Sequence, residues 1–199
     1  MFNVNDSRIQ EVRNLPEVAV FSEVLEENAM VQYKDRQMMG TIKGVEDNYE
    51  ELTPIDSIFF GRGNPTLHDD VAEYAIPGVE LVSTLNTGIS FLDPLNIYAP
   101  KRGSKVNIAN PTSSFCTEQL YSSGLVFAVN QQKYDASYIV TSIQFARKLF
   151  QYENEVSSVA LRLNPSVTEA KAKKKIQQLL GNDFTVEDRY EQQSDTFRI

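Results

Sequence analysis

The feature that most constrains this chain is a long strand-like run from Val18 to Tyr33, followed at once by the turn Lys34-Asp35-Arg36 and a second run from Met38 to Val45. Ala29, Val31 and Tyr33 alternate onto one face of the first run, and Met39, Thr41 and Val45 share a face of the second. Two such runs on either side of a short polar turn read as a β-hairpin. Glu26, Glu27 and Asn28 interrupt the alternation and predict a bulge or bend in the first arm.

Around this hairpin, helical and strand periods mix. Asn5 and Asp6 offer N-caps to a short helix over roughly 6–14, with Ile9 and Val12 on one side and Pro16 as its stop. Residues 47–70 read as loop, broken by Pro54, Gly61, Gly63 and Pro65. After Pro77, the stripe Val79, Val82 and Leu85 predicts a helix ending near Gly88. Leu95, Ile97 and Ala99 alternate as a strand, as do the residues from Phe115 to Tyr121 and the triplet Leu125, Phe127 and Val129. Ile143, Ala146, Leu149 and Phe150 form one stripe of a helix from Ser142 to about Gln151, and Val159, Leu161 and Leu163 a further strand. Ser166 and Glu169 have capping-box spacing ahead of a helix with Ala172, Ile176, Leu179 and Leu180 on its buried face and Gly181 at its end. Phe184 and Val186 read as a last strand, and the charged tail to Ile199 carries no core pattern. The class is α+β.

Composition narrows the function. At 199 residues the chain can bury a sizeable core as one large domain or two small lobes, and 41% hydrophobic with 23% charged residues is ordinary for a folded protein. A net charge of -8 sets most of the surface against a nucleic-acid phosphate backbone. No segment approaches the roughly 20 apolar residues that cross a bilayer, and no N-terminal stretch reads as a signal peptide. Taken alone this would also describe a cytosolic protein, and a fragment cut from between membrane spans reads the same way. One cysteine, Cys116, leaves no internal disulfide and reads as a packed thiol.

Reaction chemistry is sparse. His68 is the only histidine, and its neighbours Asp69 and Asp70 are too close in sequence to share one hydrogen-bond line with it, so 63–70 reads as a surface loop. Gly61-Arg62-Gly63 lacks the downstream glycine and Lys-Ser/Thr of a phosphate cradle and reads as a turn. Glu26-Glu27 and Glu50-Glu51 read as solvated surface, and the lysines from Lys171 to Lys175 as the outer face of a helix, which could also meet anionic headgroups beside a bilayer. No catalytic, cofactor or metal residues are expected. The stretch from Pro100 to Ser114 stands apart: it sets Lys101, Arg102, Lys105 and Pro111 between two strands of an acidic chain. It reads either as an ordinary long hairpin loop or as a binding loop on a rigid sheet.

The order of segments resembles the large extracytoplasmic domain of FtsX-like ABC permeases, the group that includes lipoprotein-releasing permeases of the LolC and LolE type and the MacB macrolide exporter. The resemblance runs through Thr41 to Glu46, Pro77 to Leu85, Leu95 to Pro100, Gly124 to Phe127 before Tyr134-Asp135, Phe145 to Leu149 and Val159 to Leu163. The helix after Pro77 departs from the family pattern at Glu80, Val82 and Ser83. The resemblance implies a discontinuous Porter-like lobe from 1–55 and 154–199, with an inserted strand-rich Sabre-like lobe at 56–153. It implies membrane helices beyond residues 1 and 199, a site on the periplasmic side of the inner membrane, and ATP hydrolysis on a separate ABC ATPase. It implies a second permease subunit and a lipoprotein or a periplasmic chaperone as further partners. By position, Pro100 to Ser114 is similar to the loop with which lipoprotein-releasing permeases capture their chaperone, which nominates Lys101, Arg102, Lys105 and Pro111. A free-standing, non-enzymatic binding module is the alternative, and a hydrolase built on His68 a third.

Overall fold

A computed structural model describes residues 1–103, 105 and 109–194. The chain opens with β1 (Phe2–Asn3) and α1 (Ser7–Arg13). Asp6 caps α1 by accepting the Arg8 amide at 2.9 Å, and the Arg8 guanidinium on the same carboxylate holds Asp6 below the usual carboxylate range. β2 (Val18–Tyr33) and β3 (Arg36–Val45) then form the hairpin. Beyond a 3-10 turn at Asp47–Glu51 come α2 (Ile55–Ile58), β4 (Phe59–Gly61), β5 (Tyr74–Pro77) and α3 (Val79–Leu85). β6 (Leu95–Pro100), β7 (Phe115–Ser122), β8 (Leu125–Phe127), α4 (Gln132–Asp135), β9 (Tyr138–Ser142) and α5 (Ile143–Phe150) follow. The chain returns through β10 (Glu155–Val156), β11 (Ser158–Leu163), α6 (Glu169–Leu180) and α7 (Arg189–Ser194). This is an α+β fold.

One mixed sheet organises it, in the order β11-β2-β3-β9-β5-β7-β6, and a further β2–β6 pairing closes six of these strands into a ring. β2 is long enough to serve two partners on one edge. Its residues 18–24 pair with β11 and its residues 30–32 with β6, while β3 runs along the other edge. Glu26, Glu27 and Asn28 occupy the handover between those partners. The register to β3 is continuous there, with Glu26 opposite Lys43 and Asn28 opposite Thr41, so the expected bulge is absent. The charges stand where neither β11 nor β6 covers the strand; Glu26 meets Lys43 at 3.3 Å and accepts from the Tyr138 hydroxyl at 3.3 Å. Burial pushes that Tyr138 phenol up to about 12.

Met39, Thr41 and Val45 do share a face of β3, and the main core lies behind the other one. Gly40, Ile42 and Gly44 face the main core and are buried, whereas Met39 is 64% exposed. Val45 is buried in a separate apolar cluster with Val24, Tyr49, Ile76 and Phe127. Large residues mark the outer side because the inner face carries glycine on either side of Ile42, Gly44 where α5 comes close and Gly40 beside Ser137, Val31 and Leu81. Likewise the stripe of α3 is Leu81, Val82 and Leu85, with Val79 partly exposed. α5 rests against β2, β3, β6, β7 and β9 and so fills the inside of the ring, burying Ile143, Phe145, Ala146, Leu149 and Phe150. Ser142 caps it by accepting the Phe145 amide at 3.0 Å.

Near the C-terminal end two expectations fail. α6 begins at Glu169, not at Ser166, because the Val167 amide bonds the Asn164 carbonyl at 3.0 Å and keeps Ser166 in a turn outside the helix; no capping box forms. Phe184 and Val186 form no strand. They are held by one side chain instead: Gln177 donates to the Phe184 carbonyl at 2.9 Å and accepts the Val186 amide at 3.0 Å. Phe184 packs edge-on against Phe2 with ring centroids 5.1 Å apart, which brings the first residues beside the last part of the chain before α7. The lysine face of α6 is partly paired, Lys173 with Asp188 and Glu191, and Lys175 with Glu17. A single main core contains Val12, Leu25, Leu81, Leu95, Leu149 and Ile176, and therefore draws on all three stretches named from the resemblance.

Candidate partner-binding loop

The basic stretch is the connection of the β6–β7 hairpin. Pro100 pairs with Phe115, and the Lys101 amide extends the ladder by one bond to the Ser114 carbonyl at 2.9 Å. Both arms at the root are therefore fixed to the sheet. Pro111 opens a 3-10 turn, Pro111–Ser114, that leads back into β7. Asn110 gathers that return: its carboxamide accepts the Thr112 hydroxyl at 2.7 Å and its carbonyl the Ser113 hydroxyl at 2.7 Å. Residues 104 and 106–108 of the loop lie outside the described residues.

The three cations do not play equal parts. Arg102 is an anchor. Its amide donates to Gln151 Oε1 at 2.9 Å, its Nη1 to the Gln151 carbonyl at 3.2 Å, and its guanidinium lies 4.1 Å from the centroid of the Tyr152 ring. Glu155 stands 3.9 Å from the same Nη1. Gln151 is the left-handed C-cap of α5, so Arg102 ties the loop to the helix that fills the ring. Lys101 and Lys105 are exposed. Sequence reasoning missed Gln151, Tyr152 and Glu155, because no linear spacing relates position 102 to a helix terminus some fifty residues further on. The arrangement offers two exposed cations on a hairpin whose base is held rigid, which suits an acidic protein surface.

The other sequence candidates separate. His68 Nε2 lies 2.9 Å from Asp47, while Asp69 instead accepts the amides of Val71 and Ala72 and the Tyr74 hydroxyl. Gly61-Arg62-Gly63 is a backbone crossing: a Cβ on Gly63 would stand 1.8 Å from the Ser123 carbonyl, a space only glycine fits. Among the described residues no group of three or more His, Cys, Asp or Glu could hold a metal ion, and no helix is long and apolar enough to cross a membrane.

No protein-family model and no curated protein matches the chain. Solved structures do, among them extracytoplasmic domains of ABC-type transporters. The periplasmic region of MacB from Actinobacillus actinomycetemcomitans superposes with a TM-score of 0.65 over 100% of this chain and 84% of that one, at 9% sequence identity. The extracellular domain of the ABC-type transporter YknZ from Gram-positive bacteria gives 0.60 over 92% and 83%, at 13% identity. At such identities the likeness is one of fold.

Proposed function

We propose that the chain is the extracytoplasmic domain of an ABC transporter permease of the lipoprotein-releasing kind, on the periplasmic side of the inner membrane. The observation that carries the transporter part of this reading is the fold likeness to the extracytoplasmic domains of MacB and YknZ over nearly the whole chain, and the lipoprotein-releasing part follows from the resemblance in the order of segments. In this reading the domain performs no chemistry. A separate ABC ATPase hydrolyses ATP, a second permease subunit completes the transporter, and movement of the membrane helices becomes movement of lobes. Residues 1–55 and 154–199 form one lobe and 56–153 the other. The β2–β11 and β1–β10 ladders, and the bond from Arg8 to the Leu180 carbonyl at 3.1 Å, support joining the two ends of the chain in the first lobe.

The partner-binding surface is the loop from Pro100 to Ser114, with Lys101 and Lys105 meeting a periplasmic chaperone, Arg102 holding the loop to α5 and Pro111 shaping its return. Lys101→Glu with Lys105→Glu is expected to weaken capture of a purified periplasmic lipoprotein chaperone at least about ten-fold, because both charges turn from attractive to repulsive. The Tm of that double variant stays within about 2 °C of the parent, as for other exposed substitutions. Arg102→Glu gives a different signature, losing about 1–2 kcal/mol of stability with the guanidinium's bond to the Gln151 carbonyl and its ring contact, while the amide bond to Gln151 Oε1 stays. Unchanged capture by the double variant would remove the loop from the binding surface.

A further inference from the structure

β7 has one edge occupied and the other open. β6 pairs with its residues 115–120, whereas β5 reaches only Tyr121 and Ser122 on the far side. The direction of the backbone groups follows from two bonds. The Lys101 amide bonds the Ser114 carbonyl at the hairpin root, and alternate residues of an antiparallel ladder bond the same neighbour, so the even-numbered residues of β7 turn toward β6. The Tyr121 amide donates to the Glu73 carbonyl at 2.9 Å on the opposite edge, as that alternation requires of odd-numbered residues. Thr117 and Gln119 therefore point N–H and C=O away from β6, beyond the end of β5, and both residues are exposed. An open edge of this kind is a template for another strand.

The space beside that edge has a definite character. A groove of about 550 Å³ runs between it and the turn from Asp69 to Glu73. Asp69, Asp70, Glu73 and Glu118 line it, and Lys148, which pairs with Glu118 at 2.9 Å, also acts on Glu73. Burial raises the Glu73 carboxyl, which also accepts the Ser142 hydroxyl. Two apolar side chains stand among these acids: Val71, 91% exposed, and Tyr121 at the end of the open stretch. The groove thus combines unpaired backbone donors and acceptors with negative charge and exposed apolar surface.

We propose that this groove receives an extended, basic polypeptide segment of a partner, added as a strand to the free edge of β7. Backbone bonds to Thr117 and Gln119 supply the attachment. Lysine or arginine at alternate positions meets the carboxylates, and the apolar residues between them meet Tyr121 and Val71. The surface is separate from the loop at 100–114 and depends neither on that loop nor on a transporter role.

The probe is the peptide acetyl-Lys-Val-Lys-Val-Lys-Val-Lys-amide, titrated into the isotope-labelled domain and followed by amide shifts and hydrogen exchange. Saturable binding is expected, with exchange at the Thr117 and Gln119 amides slowed at least about ten-fold. A peptide with proline for its central valine loses a strand donor and binds at least about ten-fold more weakly, as does the matching Glu-Val peptide. Thr117→Pro removes an edge donor that no β6 bond uses and abolishes the protection. Asp70→Lys, on an exposed side chain, weakens binding without that backbone change. Unprotected Thr117 and Gln119 amides at saturation, or equal binding of the proline or the Glu-Val peptide, would overturn the proposal.

Discussion

A Gly44→Val variant melts roughly 6–12 °C below the parent protein, the largest single effect expected here. Gly44 faces α5 from β3, and a Cβ built on it would lie 2.5 Å from Ala146 Cβ and 3.0 Å from Ile143 Cα. Neither atom is the free end of a flexible side chain; both belong to the capped, buried start of α5. Relief requires the helix to withdraw from β3, which would loosen its contacts with the other strands of the ring as well. Overpacking of a tight core costs about 1–3 kcal/mol and at times more, and about 3 kcal/mol is expected where backbone must move. At this chain length each kcal/mol moves Tm by about 2–4 °C. Met39→Ala, on the exposed face of the same strand, serves as the control and leaves Tm nearly unchanged. A Gly44→Val protein melting within about 1 °C of the parent would mean that α5 does not sit against β3.

Arg147→Met is the second large effect, with about 2–3 kcal/mol lost in urea denaturation. Its guanidinium donates to Glu23 Oε2 at 2.6 Å from a side chain 26% exposed, and the Glu23 side chain is only 9% exposed. Removing the arginine leaves a buried carboxylate with Arg13, at 3.9 Å, as its remaining cation among the described residues. Breaking a fully buried pair costs about 3–5 kcal/mol; the partial exposure of Arg147 and the remaining arginine reduce that figure. Arg147 Nε is itself buried without a hydrogen-bond partner, so the pair is an expensive arrangement as well as a connecting one. Glu23→Leu combined with Arg147→Met is therefore expected to regain most of the loss, since an apolar replacement of both partners leaves no charge stranded. If the double variant were as unstable as the single one, lost packing rather than the stranded carboxylate would explain the effect.

The strands and helices that could be read from sequence are those whose signals are local. β2 keeps the bounds Val18–Tyr33 because its apolar alternation and its turn are contiguous, and α5 keeps its limits because Ser142 caps it and a four-residue stripe marks its buried side. The faces were harder. Gly40 and Gly44 thin the apolar signal of the inner side of β3 to Met38 and Ile42, although α5 presses against that side at Gly44. Ser166 and Glu169 show capping-box spacing, yet a competing turn at Asn164–Val167 takes the backbone first. Ring closure was invisible, since nothing in the order of residues says that Met30 meets Tyr98. The loop at 100–114 was legible as a basic interruption between strands, but Arg102 reads as one more surface cation until Gln151 and Tyr152 are beside it. The open edge of β7 is likewise a property of topology: it exists because β5 begins only at Tyr74, opposite Tyr121.

The most direct test of the central claim is topological. Asp35, exposed at the tip of the β2–β3 turn, is replaced by cysteine in a Cys116→Ser background of the native gene product, and cells are treated with a membrane-impermeant maleimide. An extracytoplasmic permease domain sediments with the membranes and reacts at position 35 in intact spheroplasts. A protein that stays in the high-speed supernatant, or that reacts only after lysis, would contradict the transporter reading.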